Sequence, residues 1–302
     1  MPTKTYSVVL PVPPSEAFQW HERPGAFERL APPWEDVRVV SRSGGIQDGA
    51  EVRLKVQKGP VSLDWHLRHS DYVPGKQFVD EQISGPFDSY RHVHRFLPGD
   101  EAGTTLLEDE LTWEVPLGAA GVLVGGGRVQ KDLDRTFRFR HARMLQDLHL
   151  HEQYRDTPPK RVAITGASGL VGKALTHLLT TGGHEVVPMV RSRAAAEAGN
   201  GVYWSIEDGV VDEEGLTGVD ALVHLAGEPI NAVRWTEEKK KAIRESRVQG
   251  TRLLSRTVAQ LPGGPEALVC ASAVGYYGNR KDEVVTEETG RGKGFLAETV
   301  EA

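Results

Sequence analysis

Glycine recurs at every third position across residues 166–172, which read Gly166-Ala167-Ser168-Gly169-Leu170-Val171-Gly172. The run follows a short apolar segment, RVAIT at 161–165, and opens a helical one. That context suits the phosphates of a dinucleotide. The first glycine permits a tight turn, the second lets the backbone approach a pyrophosphate, and the third lets the helix pack closely on the strand. The helix N-terminus adds free amide groups and partial positive charge. Gly166, Ser168, Gly169, Leu170 and Gly172 are therefore expected around a pyrophosphate.

The next apolar run, HEVVPMVRS at 184–192, ends in Arg191-Ser192-Arg193. An acidic residue there would take a ribose 2′-hydroxyl, whereas planar guanidinium donors suit a 2′-phosphate. The expected cofactor is NADP(H) in preference to NAD(H), with Arg191 on the phosphate and Ser192 beside it. A second constellation is His92 and His94, two apart and so on one strand face, with His66 and His69 as possible neighbours. No third ligand is evident from the sequence, so no metal is expected.

Two kinds of pattern must position these residues. From Thr5 to about Val115 apolar and polar residues alternate, as in Val52, Leu54, Val56 and in Val61, Leu63, Trp65, Leu67; Leu107, Leu111, Trp113 and Val115 line one face of a later strand. Turns at 43–45, 47–49, 58–60 and 98–103 separate the runs, which predicts an antiparallel sheet with one wet face. After a first strand, two short helices interrupt its start, SEAFQWH at 15–21 with Ser15 as its cap and GAFERL at 25–30. A glycine-rich stretch, 118–127, leads into a long helix from about Arg128 to Gln153, whose buried face is Leu133, Phe137, Met144 and Leu148. Trp20, Trp34, Trp65 and Trp113 are expected to fill the core.

After a polar, proline-containing linker the grammar becomes strand–helix alternation, which implies a parallel sheet covered on both faces. DALVHLAG at 220–227 is a strand. The helix at 236–261 is capped by Thr236, and its EEKKKAIRESR segment is read as a solvated face. EALVCASAVGYYG at 266–278 is read as a buried strand running into a loop. The expected fold is thus an α+β helix-grip domain over 1–153, a linker over 154–160 and an α/β Rossmann-type domain over 161–302.

The chain has 302 residues, a net charge of −6 and one cysteine, Cys270. Nothing in it is basic enough to draw nucleic acid, apolar enough to span a membrane, or rich enough in cysteine for a disulfide framework. A cytoplasmic protein acting on a small molecule, with neither nucleic acid nor membrane as partner, is the expectation; the oligomeric state is left open.

Element order over 3–153, with the phrases PGAFERLAPPWE and GPFDSYRHVHRF, resembles the helix-grip fold of the SRPBCC (START-like, polyketide-cyclase-like) superfamily. That resemblance implies a curved sheet closed by the long helix over an apolar cavity, hence an apolar ligand. HLAG at 224–227 is similar to the strand-four motif of short-chain dehydrogenases/reductases, which implies that Ala226 and Gly227 line the cofactor. LAGEPINAVRW, SRVQGTRLL, SAVGYYG and GFLAE together resemble the NAD(P)-dependent epimerase/dehydratase-like branch of that superfamily, some of whose bacterial members carry an N-terminal SRPBCC domain.

The resemblance implies reversible hydride transfer at a hydroxyl or carbonyl carbon, on a sugar nucleotide or another carbonyl compound, with a serine, a tyrosine and a lysine in the site. Ser272 is the serine candidate if the count runs back from Tyr276. Tyr277 and Lys281 have the Tyr-x-x-x-Lys spacing but follow the strand at once through Gly278-Asn279. The helix expected to carry the pair, GFLAETVEA, has neither residue. Relatives continue beyond this point, so a C-terminally incomplete Rossmann domain is expected. The alternative reading is a non-catalytic NADP(H)-binding sensor.

Overall fold

Alternating burial appears where the alternating sequence predicts it. In a computed structural model, which describes residues 1–116, 127–231 and 234–302, the first seven strands are β1 (Thr3–Leu10), β2 (Asp36–Ser43), β3 (Glu51–Lys58), β4 (Val61–Val73), β5 (Gln77–Ser84), β6 (Ser89–Pro98) and β7 (Thr105–Glu114). They form one antiparallel sheet in the order β1-β7-β6-β5-β4-β3-β2. Strand β7 shows the pattern most cleanly: Thr105, Leu107, Asp109, Leu111 and Trp113 point inward and are buried. Helices α1 (Pro14–Glu22) and α2 (Ala26–Leu30) follow β1, and α3 (Gly127–Gln153) follows β7. Phe137, Met144 and Leu148 of α3 are buried against the sheet's inner side chains, among them Phe96, Leu107 and Trp113, and against Phe18 of α1. Each such burial contributes roughly 1.5–3 kcal/mol.

Contacts divide the chain into two compact units, Met1–Pro158 with Thr180–Gly183, and Pro159–Leu179 with His184–Ala302. The second unit holds β8 (Arg161–Thr165), α4 (Leu170–Thr181), β9 (Glu185–Val190), α5 (Arg193–Glu197), β10 (Val202–Ser205), β11 (Val210–Val211), α6 (Glu213–Leu216), β12 (Ala221–His224), α7 (Glu237–Gln260), β13 (Ala267–Cys270) and α8 (Phe295–Glu301). Its sheet runs β11-β10-β9-β8-β12-β13, parallel except for the β10–β11 hairpin. The chain starts in the middle at β8, winds outward through β9 and β10, then returns to the other side at β12. The switch of direction therefore lies between β8 and β12, where doubly wound sheets open a crevice.

Several expectations are corrected. Ser15 is not a cap: Pro14 occupies the first helical turn, Pro13 precedes it, and no side chain caps the end. Strand β13 is not buried, because it forms the sheet's edge; Val269 is 56% exposed despite its apolar type. Trp20 and Trp113 are core residues, but Trp34 is half-exposed under the Arg135 guanidinium. Val61 is exposed at the start of its strand. Thr236 does cap α7, its Oγ1 accepting from the Lys239 amide. The α7 segment read as solvated buries Ile243 and ties Lys239 to Glu228. Strands β10 and β11 carry no glycine or alternation signal long enough to be read in advance. Of the glycine-rich stretch 118–127, residues 118–126 lie outside the described residues, as do 232–233 of LAGEPINAVRW.

Candidate functional site

The glycine loop is shaped by contacts that leave no room for side chains. Gly166 adopts φ +72°, and a Cβ there would lie 3.0 Å from the Ala226 amide nitrogen. A Cβ on Gly172 would lie 2.1 Å from the Gly166 carbonyl oxygen, so the first turn of α4 packs directly on the loop. Gly169 donates its amide to Gly166 O at 2.9 Å, closing the turn. The first amides of α4 have no acceptor within the helix and so are available to an anion.

A cleft of about 880 Å³ opens beyond the carboxyl ends of β8, β9 and β12. Gly166, Ser168, Gly169, Arg191, Ser192, Ala226 and Gly227 all line it, with Lys173, Asn200, Trp204 and Ser246. Leu170 and Gly172 do not: Leu170 is 91% exposed, and Gly172 faces the loop backbone. The two arginines after β9 part ways. Arg193 pairs with Asp208 at 3.2 Å and lies over the Tyr203 ring, whereas Arg191 is exposed and makes no side-chain bond among the described residues. Ser192 Oγ accepts from the Ala195 amide and caps α5.

A polar lock beneath the cleft escaped the sequence reading. Thr165 Oγ1 accepts from the amides of Leu225 and Ala226, each at 3.1 Å, and lies 2.7 Å from His224 Nδ1. With its oxygen accepting twice, the hydroxyl donates its proton to Nδ1, so His224 is neutral with its own proton on Nε2. Burial, and then the charge of Arg247, push the His224 pKa down to about 4. The lock joins the ends of β8 and β12 and sets Ala226 against Gly166. Arg247 Nη1 donates to Glu228 O at 3.1 Å and holds the next stretch of that loop. A threonine closing an apolar strand was the available signal.

The catalytic candidate Ser272 and the Tyr277–Lys281 pair lie in the loop and turns after β13. Ser272 is exposed and outside the cleft lining. Tyr277 ends a 3-10 turn, Val274–Tyr277, while Lys281 sits at φ +52° in the turn after it, so the two do not share a helix face. Helix α8 contains neither a tyrosine nor a lysine.

In the first unit, a cavity of about 230 Å³ lies between the sheet and α3, lined mainly by apolar and aromatic side chains including Val37, Leu54, Trp65, Tyr90, Leu133 and Phe137. Trp65 is thus a cavity wall rather than core, and its buried indole N–H has no acceptor among the described residues. Behind Tyr90 and Phe137 lies a buried polar cluster. Cross-strand register sets Asp80 of β5 opposite both His69 of β4 and His92 of β6, and His94 of β6 opposite Asp109 of β7. His92 Nε2 donates to Asp109 Oδ1 at 2.9 Å, and His141 from α3 reaches Asp109 Oδ2 at 2.7 Å. His69 Nδ1 lies 2.7 Å from Asp80 Oδ1, while His66 turns away to Glu51.

Burial opposes charge on both carboxylates, but the imidazoles outweigh it and hold Asp80 and Asp109 well below the usual carboxylate range. Burial also lowers His94, yet contacts to Asp109 and Asp80 win and hold it up at about 9. Burial and then the His94 charge push His92 and His21 down to about 4. His92 and His94 were singled out from the sequence; both aspartates and His141 were not.

Comparison with known proteins matches residues 162–294 to the NAD dependent epimerase/dehydratase family and residues 10–138 to polyketide cyclase / dehydrase and lipid transport. A Mycobacterium bovis protein, epimerase family protein Mb2239, is 47% identical over 45% of this chain and 44% of its own length. Bacillus subtilis epimerase family protein YfhF is 36% identical over 46% of each chain. A Corynebacterium glutamicum structure, described as a nucleoside-diphosphate sugar epimerase, is 34% identical with a TM-score of 0.77, covering 99% of this chain and 60% of that one. The chain therefore spans less than half the length of the mycobacterial and Bacillus relatives. Among the described residues no helix is long and apolar enough to cross a membrane.

Proposed function

We propose that this chain, an NAD(P)-binding epimerase-family domain joined to a polyketide-cyclase-like one, binds NADP(H) in the cleft at the β8–β12 switch point and serves reversible hydride transfer at a hydroxyl or carbonyl carbon. The observation that carries the reading is the convergence of the glycine loop and the Arg191 guanidinium on one cleft. The residues present fit the cofactor. Gly166 and Gly172 allow only backbone at the loop, which lets a pyrophosphate approach, and the amides opening α4 bind it. Arg191, exposed and unpaired, takes the 2′-phosphate as a planar donor. Ala226 and Gly227 leave space for the ribose edges, held in place by the Thr165 lock. The bound nicotinamide supplies the hydride chemistry; this chain's residues supply position and charge. The relative described as a nucleoside-diphosphate sugar epimerase supports a sugar nucleotide as the substrate class.

A second reading is favoured by a specific observation: Tyr277 and Lys281 share no helix face, and Ser272 is outside the cleft lining. Under it the chain is a cofactor-occupied sensor, with a small apolar ligand in the cavity of the first unit. Calorimetric titration with NADPH and NADH, followed by turnover assays on sugar nucleotides and ketones, separates them. Tighter binding of NADPH with turnover supports the enzyme; binding without turnover supports the sensor. If neither nucleotide binds, both readings are lost.

A further inference from the structure

We propose that Asp80, His92 and His94 form a binding site for a first-row divalent metal ion, with Zn²⁺ the best match. The donor atoms lie within 4.8 Å of one another. Asp80 Oδ2 is 3.3 Å from His94 Nε2 and 3.7 Å from His92 Nδ1. Charge-assisted hydrogen bonds are shorter, roughly 2.7–2.9 Å. The edge between two ligands of a tetrahedral ion with bonds near 2.05 Å is about 3.3 Å. The 3.3 Å contact serves equally as a long hydrogen bond and as the edge of a tetrahedral ion's coordination shell.

The surrounding bonds fix which atoms face the gap. His92 donates Nε2–H to Asp109, so its Nδ1 presents a lone pair towards Asp80. His94 Nδ1 lies 2.8 Å from the same Asp109 oxygen, where a lone pair would be repelled; its proton belongs there, and Nε2 presents the lone pair. With His94 neutral, a carboxylate and two imidazole lone pairs converge on one point; with His94 protonated, its Nε2–H donates to Asp80 Oδ2 at 3.3 Å. The positive charge these acceptors need is supplied by a metal ion or by the proton of an imidazolium at His94. Orienting each histidine through a carboxylate on its far nitrogen is the arrangement that supports metal-bound imidazoles, and here one carboxylate, Asp109, serves both. It is itself held by His141. The Phe78 ring, stacked on His94 with centroids 4.1 Å apart, fixes the second imidazole's plane. Two imidazoles and one carboxylate suit Zn²⁺ and its first-row neighbours rather than Ca²⁺ or Mg²⁺. The Asp80 side chain is 19% exposed while those of His92 and His94 are 1% and 7%, so an ion would reach the site past Asp80.

A proton is the rival occupant: an imidazolium at His94 would satisfy the same acceptors. The test uses the full chain without an affinity tag, stripped with chelator, titrated with Zn²⁺ by calorimetry and with Co²⁺ by visible absorption. The expected result is one saturable equivalent, with Co²⁺ developing the ligand-field bands of a nitrogen-ligated, low-coordinate ion. Asp109→Asn should bind about 10–100-fold more weakly, and His94→Gln should lose the equivalent, both with the far-UV circular dichroism of the parent. No saturable Zn²⁺ equivalent and no Co²⁺ bands in the parent chain would overturn the proposal without reference to any variant. Unchanged Zn²⁺ affinity in folded His94→Gln would overturn it as well.

Discussion

Asp109 and Thr165 hold equivalent posts in the two units. Each is a buried polar residue facing inward from its strand, and each ties a histidine and other groups of neighbouring elements together. Their chemistry is opposite. Asp109 is a carboxylate among three histidines, in a cluster that carries net charge away from water. Thr165 is a neutral hydroxyl joined to two amides and a neutral histidine. The charged hub sits behind an apolar cavity, and the neutral hub sits under an open, polar-rimmed cleft. Buried charge must be fully compensated in place, since water is not at hand. Under a cleft meant for a phosphate-bearing ligand, a neutral lock sets geometry without adding a competing charge.

Removing each hub tests that contrast. Asp109→Ala should be the most damaging change, destabilising the first unit by about 3–5 kcal/mol because a buried partner is removed and its imidazoles are stranded; urea unfolding of the full chain reads it. Comparable stability in Asp109→Ala and the parent would erase the distinction between the hubs. Gly172→Ala places a Cβ where 2.1 Å separates it from the Gly166 oxygen, so the loop must shift. The expected outcome is a loss of about 1–3 kcal/mol together with loss of the stabilisation that NADPH confers in thermal unfolding.

Thr165→Val keeps shape but takes the side-chain acceptor from the Ala226 amide, while Leu225 keeps the Thr165 carbonyl at 3.2 Å, and should cost about 1–2 kcal/mol. The neutral hub also has a pH signature. His224 is held down at about 4 in the folded protein, below the ordinary value of 6.5. Its contribution to stability is therefore complete above the unfolded value and is lost as pH falls from about 6.5 towards 4. Long-range ¹H–¹⁵N spectra should show an Nε2-protonated ring that does not titrate between pH 8 and about 5. An imidazolium signal for His224 near neutrality would mean the Thr165 proton points elsewhere. The smallest effect is expected at Arg191→Ala: NADPH affinity should fall about tenfold, ~1.4 kcal/mol, with NADH affinity unchanged.

The cleft was legible in the sequence and the charged cluster was not, for a physical reason. Gly166 to Gly172 and Arg191 act through local backbone: a turn, a helix start, a strand end, each written in a few adjacent residues. Asp80, His94 and Asp109 meet only through the register of three strands, which depends on side chains packed across the sheet. Alternation put His92 and His94 on one face but gave no sign of which carboxylates stood opposite. Strand β13 misled in the other direction. Its apolar composition suits a central strand, and only the order of strands makes it an edge. Arg193 shows the limit of local reading even at the cleft, since Asp208, which claims it, arrives from beyond β10.

The pairing of Asp80 with His92 and of Asp109 with His94 bears also on how the first sheet reaches its form. Because side chains alternate, a slip of β6 by one residue against either neighbour would turn both imidazoles to the opposite face and leave Asp80 with His69 alone and Asp109 with His141 alone. The aspartates thus add an electrostatic cost to misalignment, on top of the burial lost when an apolar face turns outward.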